Sequence, residues 1–471
     1  MSSAPGTKLF GTDGMRGTFG EPPLDAATVR RLAHALADQL VSADGAEVDV
    51  VIGGDTRTST PQICQWIADA LGERRVRVLD LGVAPTPAVA HLVPRLGAAA
   101  GVVVSASHNP PADNGIKIFG ADGFKLSPAQ EEALTRAVAG DAHGQGRAAS
   151  EGRSHAPPRE RRVVDREPVG RYLESLLGSV GEQRLDGLRI VLDSGHGAAA
   201  GLAAELFRQL GASVHALHDQ PDGSRINVGC GSTAPEVVAR AVAEAGDLGF
   251  AFDGDADRVI VCDSRGVVHD GDAVLYVWAA WLASRGELPG PAIVATSMSN
   301  LGLERALARH GVAVVRCDVG DRAVVETLRR ERLRLGGEQS GHLVDLELAT
   351  TGDGILSALQ IAAIVARSGV ALEELARPLE RYPQVLRSIP VHSRPPFESL
   401  PEVQSVVADI ERRLAGDGRL VLRYSGTERV ARIMIEGPDH DQVDALASRL
   451  GETLARAIGA PREEVPHGSV R

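Results

Sequence analysis

Asp253, Asp255 and Asp257 occupy alternate positions of the run Asp253-Gly254-Asp255-Ala256-Asp257-Arg258, between two apolar stretches. Carboxylates so spaced on a tight turn converge on one hard cation. An unpaired acidic turn is the simpler alternative, but three carboxylates this close repel one another unless a counter-charge is present. A calcium loop is excluded, because it requires glycine at its sixth position and glutamate at its twelfth, where this chain has Arg258 and Ser264. Magnesium takes a few carboxylates and a phosphate oxygen, so the run predicts a phosphate supplied by another part of the chain or its ligand.

A second stretch offers the place for it. The apolar run ending at Val104 gives way to Ser105-Ala106-Ser107-His108-Asn109-Pro110-Pro111, and the next apolar run contains Lys117. A loop that follows a parallel strand lies at the carboxyl edge of the sheet, where α/β folds place ligands. The proline pair forces a turn, so Ser107 is expected to be held outward beside His108, with Lys117 returning to the same site. Lys8, Lys117 and Lys125 are the only lysines among 50 basic residues. An ammonium can titrate when desolvated, whereas a guanidinium cannot, which gives Lys117 either a proton-handling or a charge-neutralising role. Read alone, the loop is equally well a capped turn.

Two further loops complete the set. Gly337-Glu338-Gln339-Ser340-Gly341-His342 follows an apolar strand; its glycines admit a close ligand, and Glu338 and Ser340 offer the acceptor and donor groups that sugar hydroxyls require. Arg423-Tyr424-Ser425-Gly426-Thr427-Glu428-Arg429, followed by Arg432, has the hydroxyls, glycine amides and guanidinium groups that cradle a phosphate dianion. A polar turn and a basic hairpin are the corresponding structural readings. Together the four loops offer a nucleophilic serine, a metal, a polyol reader and a remote phosphate clamp, which reads as phosphoryl transfer to or from a sugar phosphate.

The elements that position these loops alternate strand and helix. VDVVIGG, VRVLDLG and GVVVSAS read as strands, with PQICQWIADAL and PAVAHLVPRL as helices between them. This is the pattern of a sheet covered on both faces. A polar stretch over about residues 140–162 reads as a linker. The alternation restarts with LRIVLDSG as a strand, GAAAGLAAELFRQLG as a helix and DLGFAFDGDADRVIVCD as strand, acidic loop and strand; it restarts again after Asp270. From about Tyr382 a smaller α+β module follows. The expected fold class is α/β, with three similar α/β domains with mixed sheets (1–162, 163–268 and 269–380) and a C-terminal α+β domain (381–471). A length of 471 residues suits three or four such cores. Cys64, Cys230, Cys262 and Cys317 lack metal-ligand spacing and read as reduced cytosolic thiols. A net charge of −12 argues against a nucleic-acid surface, and no apolar run reaches the ~20 residues that span a bilayer. The chain is thus expected to be cytoplasmic, without nucleic-acid or membrane partners.

The four motifs, in this order over nearly the whole chain, closely resemble those of the α-D-phosphohexomutases. Phe10-Gly11-Thr12-Asp13-Gly14-Met15-Arg16-Gly17, Gln339, Gly229-Cys230-Gly231-Ser232-Thr233 and Val319-Gly320-Asp321-Arg322 are similar to the bacterial members that act on glucosamine phosphates. Arg429 departs from the family's usual proline, and Ala234 from a frequent histidine. The resemblance implies four domains arranged in a heart shape around a central cleft. It implies that Ser107 is phosphorylated and that one Mg²⁺ per subunit is held by Asp253, Asp255, Asp257 and the Ser107 phosphoryl oxygen. Arg16, His108, Lys117 and His342 would act in catalysis, Glu338, Ser340 and Arg258 would bind the sugar, and Arg423, Ser425, Gly426, Thr427 and Arg432 the non-reacting phosphate. The implied reaction interconverts glucosamine 6-phosphate and glucosamine 1-phosphate through glucosamine 1,6-bisphosphate, in a monomer or homodimer. Glucose or mannose phosphates are the alternative substrates; a Mg²⁺-dependent sugar phosphatase and a non-catalytic sugar-phosphate sensor are the rivals from other classes.

Overall fold

A computed structural model describes residues 9–11, 13–41, 47–141, 162–425 and 429–459. The expected linker over 140–162 falls almost wholly outside them. The chain forms two compact units, one of residues up to 298 together with 310–377, the other of 299–309 together with 378 onward.

The first unit contains three sheets. The first uses β1 (Met15–Thr18), β2 (Val48–Gly54), β3 (Val76–Val83), β4 (Ala100–Val104), β5 (Asp113–Gly120) and β6 (Arg162–Val164), in the order β1-β5-β4-β2-β3-β6. Strands β4, β2, β3 and β6 run parallel, while β5 is antiparallel to both β4 and β1. Alternation along these strands feeds a core on each face. Val50 and Ile52 join the cluster formed with helices Ala26–Leu40 and Thr60–Glu73, and Val51 and Val103 join the one formed with helix Thr86–Arg95. On β5, Ile116 and Ile118 enter the first cluster and Phe119 the second, so period two turns Lys117 away from both isoleucines.

The second sheet uses β7 (Arg189–Asp193), β8 (Ser213–Leu217), β9 (Leu248–Phe252), β10 (Val259–Asp263) and β11 (Val268–His269), in the order β11-β10-β9-β7-β8. Strands β9 and β10 are antiparallel neighbours with Phe252 opposite Val259, so the acidic run between them is the tip of a hairpin. The helix expected over Gly197–Gly211 is shorter, Leu202–Gln209. Gly195, His196 and Gly201 have φ of 55°, 56° and 77°, and the Ala198 N–H is donated to the Gly254 carbonyl at 2.8 Å. The chain spends these residues on a turn against the acidic loop instead of on a first helical turn. The third sheet uses β12 (Ala292–Thr296), β13 (Ala313–Cys317), β14 (Leu335–Gly337) and β15 (Leu343–Asp345), in the order β13-β12-β14-β15. All three sheets are mixed, as expected. The second unit holds β16 (Gln384–Pro390), β17 (Arg419–Tyr424) and β18 (Val430–Glu436), antiparallel in the order β16-β18-β17, packed on helices Pro401–Leu414 and His440–Ile458.

Helix Gly354–Ser368 reaches the acidic hairpin end-on. The Gly354 N–H donates to the Ala256 carbonyl at 2.9 Å, and a Cβ at Gly354 would stand 2.3 Å from the Arg258 carbonyl oxygen. Its N-cap, Asp353, accepts from the Leu356 N–H at 2.9 Å and from the Tyr172 hydroxyl at 3.1 and 3.0 Å. Burial raises the Asp353 carboxyl to about 7 against those hydrogen bonds. A folded value above the unfolded one means that the folded chain binds the extra proton, so this group's stabilisation is complete below about pH 4 and is lost as pH rises through about 7. We predict that Asp353→Asn, which keeps a capping oxygen, shows a smaller fall in urea-unfolding midpoint between about pH 5 and about pH 8 than the unmodified chain. An equal fall in both would refute the assignment.

Candidate functional site

Ser107 and the acidic hairpin come together although 146 residues separate Ser107 from Asp253. The Ser107 Oγ donates to Asp253 Oδ2 at 2.5 Å. Ser107 is fully buried, which corrects the expectation that it is held outward. Its φ is 53°, its Oγ is taken up by Asp253, and it is His108 that is exposed, with Nδ1 3.3 Å from the Ser107 Oγ. A positive φ in a non-glycine residue costs of order 1–3 kcal/mol and persists only when neighbours enforce it.

Arg57 does the enforcing, and sequence reasoning passed over it. Its Nε donates to Asp55 Oδ2 at 2.9 Å, one terminal nitrogen to the Pro110 and Asp113 carbonyls, and the other to the Ser107 and Asn109 carbonyls at 2.9 and 2.8 Å. All five guanidinium N–H donors thus have acceptors, and four of those are carbonyls of the serine loop. Asp55 also accepts from the Ser105 hydroxyl at 2.6 Å, which in turn accepts from the Ser107 N–H at 2.8 Å. Asn227 adds a grip from the second sheet, its amide donating to the Ser107 and Asn109 carbonyls at 2.9 and 3.2 Å. The available signal was position: Gly53-Gly54-Asp55-Thr56-Arg57 leaves the carboxyl end of β2, the strand next to β4. Gly254 makes the approach of the two loops possible, since a Cβ there would meet the Ser107 carbonyl oxygen at 2.6 Å.

The three aspartates are buried, and one oxygen from each lies within 4.8 Å of the others. Lys117 Nζ donates to Asp255 Oδ2 and Asp257 Oδ2, both at 2.9 Å, and lies 3.3 Å from Asp13 Oδ2. Thr86 Oγ1 also donates to Asp255 Oδ2, at 2.6 Å. Asp255 Oδ1 and Asp257 Oδ1 are buried without a hydrogen-bond partner among the described residues. Two orphaned carboxylate oxygens on an all-oxygen donor set fit a small hard cation. The charges set the protonation states. Burial, and then Asp257 and Asp255, push Asp253 well above the usual carboxylate range. Burial would raise Asp257 too, but Lys117, His342 and Arg258 bring it below that range. Burial would lower Lys117, yet Asp13, Asp255 and Asp257 hold its ammonium well above the ordinary lysine value.

Around this centre, Arg16 donates to Asn109 Oδ1 at 2.8 Å and pairs with Asp13. Lys125 bridges Asp13 and Asp321, and Arg322 donates to Glu131 at 2.9 Å. These pairs tie the first sheet's domain to the helix Asp321–Glu331. Arg258 Nε stands 3.7 Å from Asp257 Oδ1. His342 is buried, and neither ring nitrogen has a hydrogen-bond partner among the described residues. Glu338 Oε1 accepts from the Gly320 N–H at 2.9 Å, while Ser340 is exposed. In the second unit, Arg423 and Arg432 sit directly opposite each other on β17 and β18, which places both side chains on one face. Ser425 is buried there, and Gly426 and Thr427 lie outside the described residues.

Four family models of the phosphoglucomutase/phosphomannomutase kind match the chain: alpha/beta/alpha domain I at residues 7–144, domain II at 170–266, domain III at 270–382 and the C-terminal domain at 389–452. Among curated proteins, the phosphoglucosamine mutase of Anaeromyxobacter sp. is 44% identical over 454 residues, covering 96% of each chain. That of Symbiobacterium thermophilum is 42% identical, covering 95% of this chain and 98% of its own. A crystal structure of a phosphoglucomutase/phosphomannomutase family protein from Burkholderia thailandensis superposes with a TM-score of 0.77 at 25% identity, over 96% of this chain and 97% of that one. The fold is shared as well by the N-acetylphosphoglucosamine mutase of Aspergillus fumigatus, solved with GlcNAc-6P and magnesium (TM-score 0.65, 18% identity, 96% of each chain). No helix among the described residues is long and apolar enough to cross a membrane.

Two substitutions test the loop geometry. Lysine has three donors where Arg57 uses five, and breaking a buried pair costs about 3–5 kcal/mol. We expect Arg57→Lys to lower the unfolding free energy in urea by at least about 2 kcal/mol; a loss under about 0.5 kcal/mol would contradict the five-donor grip. Gly254→Ala should cost about 1–3 kcal/mol through overpacking against the Ser107 carbonyl, measured in the same assay.

Proposed function

The chain belongs to the phosphoglucomutase/phosphomannomutase family, and from that premise we propose that it is a phosphoglucosamine mutase, interconverting glucosamine 6-phosphate and glucosamine 1-phosphate. The observation that carries the chemistry is the Ser107 Oγ hydrogen-bonded to Asp253 in the acidic hairpin. The choice of sugar rests on relatives of that name at 42–44% identity over nearly the full chain.

Ser107 Oγ stores a phosphoryl group and passes it to O1 of the 6-phosphate. The resulting 1,6-bisphosphate turns over in the site, and its 6-phosphoryl group returns to the Ser107 oxygen. Asp253, Asp255, Asp257 and an oxygen on Ser107 would hold a magnesium ion, which would supply neutralising charge to the transferring group. Asp255 and Asp257 are ready for that duty, with an oxygen each left over from their bonds to Lys117. Arg57 and Asn227 keep the Ser107 oxygen in position, and positioning is most of what phosphoryl transfer asks of a protein. Lys117, pinned by three aspartates, serves as fixed positive charge; this arrangement supports neutralisation over proton shuttling. Arg16 adds charge beside the transferring group, and His108, exposed next to Ser107, and buried His342 orient or relay the hydroxyl proton. Arg258, Glu338 and Ser340 read the sugar. Arg423, Ser425, Gly426, Thr427 and Arg432 clamp whichever phosphate is not reacting, which is why one clamp serves both orientations.

Protein incubated with Mg²⁺, a trace of the bisphosphate and glucosamine 6-phosphate should form the 1-phosphate, seen by ³¹P NMR. Steady release of inorganic phosphate would indicate a phosphatase instead, and faster turnover of glucose or mannose 6-phosphate would reassign the sugar. Ser107→Ala should lose more than about 1,000-fold in turnover while still binding Mg²⁺. A variant retaining a tenth of the activity would remove the serine from the mechanism.

A further inference from the structure

The second sheet carries another cluster of ligand-type side chains that phosphoryl transfer does not use. Asp193 ends β7, His218 follows β8, and Cys230 lies in the segment that returns toward β9. One candidate donor atom from each lies within 4.8 Å of the others. Asp193 and Cys230 are fully buried, and the His218 side chain is 26% exposed, so the cluster has one side open to water. His218 Nδ1 stands 3.0 Å from Asp193 Oδ2, and Asp193 Oδ1 accepts from the Gly195 N–H at 2.8 Å. This leaves the carboxylate oriented by the backbone on one side and by the imidazole on the other.

A second imidazole stands next to the cluster. The His196 ring centroid is 5.1 Å from that of His218. His196 Nδ1 is 2.8 Å from the Gln220 carbonyl, so Nδ1 carries the proton. Its Nε2 is buried and without a hydrogen-bond partner among the described residues. His218 in this cluster and His196 and Asn227 beside it have positive φ of 47°, 56° and 61°; such outliers gather where a site is built.

We propose that Asp193, His218 and Cys230 form a second cation site, for a borderline-soft divalent ion such as Zn²⁺. The donor chemistry separates it from the aspartate triad. A thiolate with imidazole and one carboxylate selects zinc-like ions, whereas three carboxylates suit magnesium. Binding replaces the thiol proton by a sulfur–metal bond and releases that proton to solvent, so affinity falls as pH falls. The bare protein holds the Cys230 thiol neutral, because burial and the neighbouring Asp193 push it up to about 11. The site lies against the catalytic loops: Gly195 and Gly231 both pack on the Phe252 carbonyl, one residue before Asp253, and Asn227, three residues before Cys230, holds the Ser107 carbonyl.

Cobalt(II) reads the thiolate directly. The full-length protein, stripped with EDTA and then kept in excess Mg²⁺ to fill the triad, is titrated with Co²⁺. We expect a thiolate-to-cobalt charge-transfer band that saturates near about one ion per chain and is abolished by Zn²⁺, which is spectroscopically silent and binds more tightly. Cys230→Ser should lose the band, His218→Gln should weaken Co²⁺ binding at least about 10-fold, and Cys262→Ser should keep the band. The titration of the unmodified chain decides the matter even if a variant fails to fold. Absence of the band there, or a band that survives Cys230→Ser, overturns the proposal.

Discussion

Three buried carboxylates on one hairpin are tolerable only because an ammonium is buried with them. Unit charges about 4 Å apart interact by about 4 kcal/mol even at an effective dielectric of 20, so an uncompensated triad would protonate or open. Lys117, 1% exposed, donates to two of the aspartates and lies near a third carboxylate, that of Asp13. Even so the balance is incomplete: Asp253 is driven toward its protonated form, and two carboxylate oxygens have no hydrogen-bond partner among the described residues. The raised Asp253 and the orphaned oxygens of Asp255 and Asp257 both reflect negative charge in excess of its counter-charge, the condition that the proposed cation would relieve.

The triad fixes where a serine must be, and the rest of the first unit serves to put it there. Gly254 lets the hairpin come within contact of the Ser107 carbonyl. Arg57 and Asn227 then take the Ser107, Asn109 and Asp113 carbonyls, and these hydrogen bonds offset the cost of a left-handed Ser107. Buried guanidinium groups are costly unless fully paired. Here the loop's carbonyls supply four of the five acceptors and Asp55 the fifth, so the loop conformation and the pairing of the guanidinium depend on each other. The helix beginning at Gly354 closes the far side of the hairpin by backbone contact.

Each chemistry-bearing loop of the first unit leaves the carboxyl end of a strand, as mixed α/β sheets favour. The second sheet presents two such ends side by side, Asp193 on β7 and the acidic hairpin after β9, with Asp193 paired in register with Ala251. Neighbouring strand ends therefore bear donor sets of different hardness, oxygen alone in one and oxygen, nitrogen and sulfur in the other. A fold that repeats one layout supplies more strand ends than one reaction uses.

Sequence alone determined the alternation of strands and helices, the mixed-sheet class and the smaller terminal module, because period two, period 3.6 and turn residues are local properties. It also marked Ser107 by its place in a proline-bounded loop after a strand, the aspartates by their alternate spacing, and Lys117 as one of only three lysines. It started the helix after β7 too early, at Gly197 instead of Leu202, and took the serine as outward-facing, since both depend on a hairpin more than fifty residues away that claims the Ala198 N–H and the Ser107 hydroxyl. Arg57, Asn227, Asp13 and the His196–His218–Cys230 neighbourhood were decided only in three dimensions. Their residue types are ordinary and their meaning is pairwise: an arginine becomes a loop clamp, and a cysteine a candidate ligand, only when strands distant in sequence lie side by side.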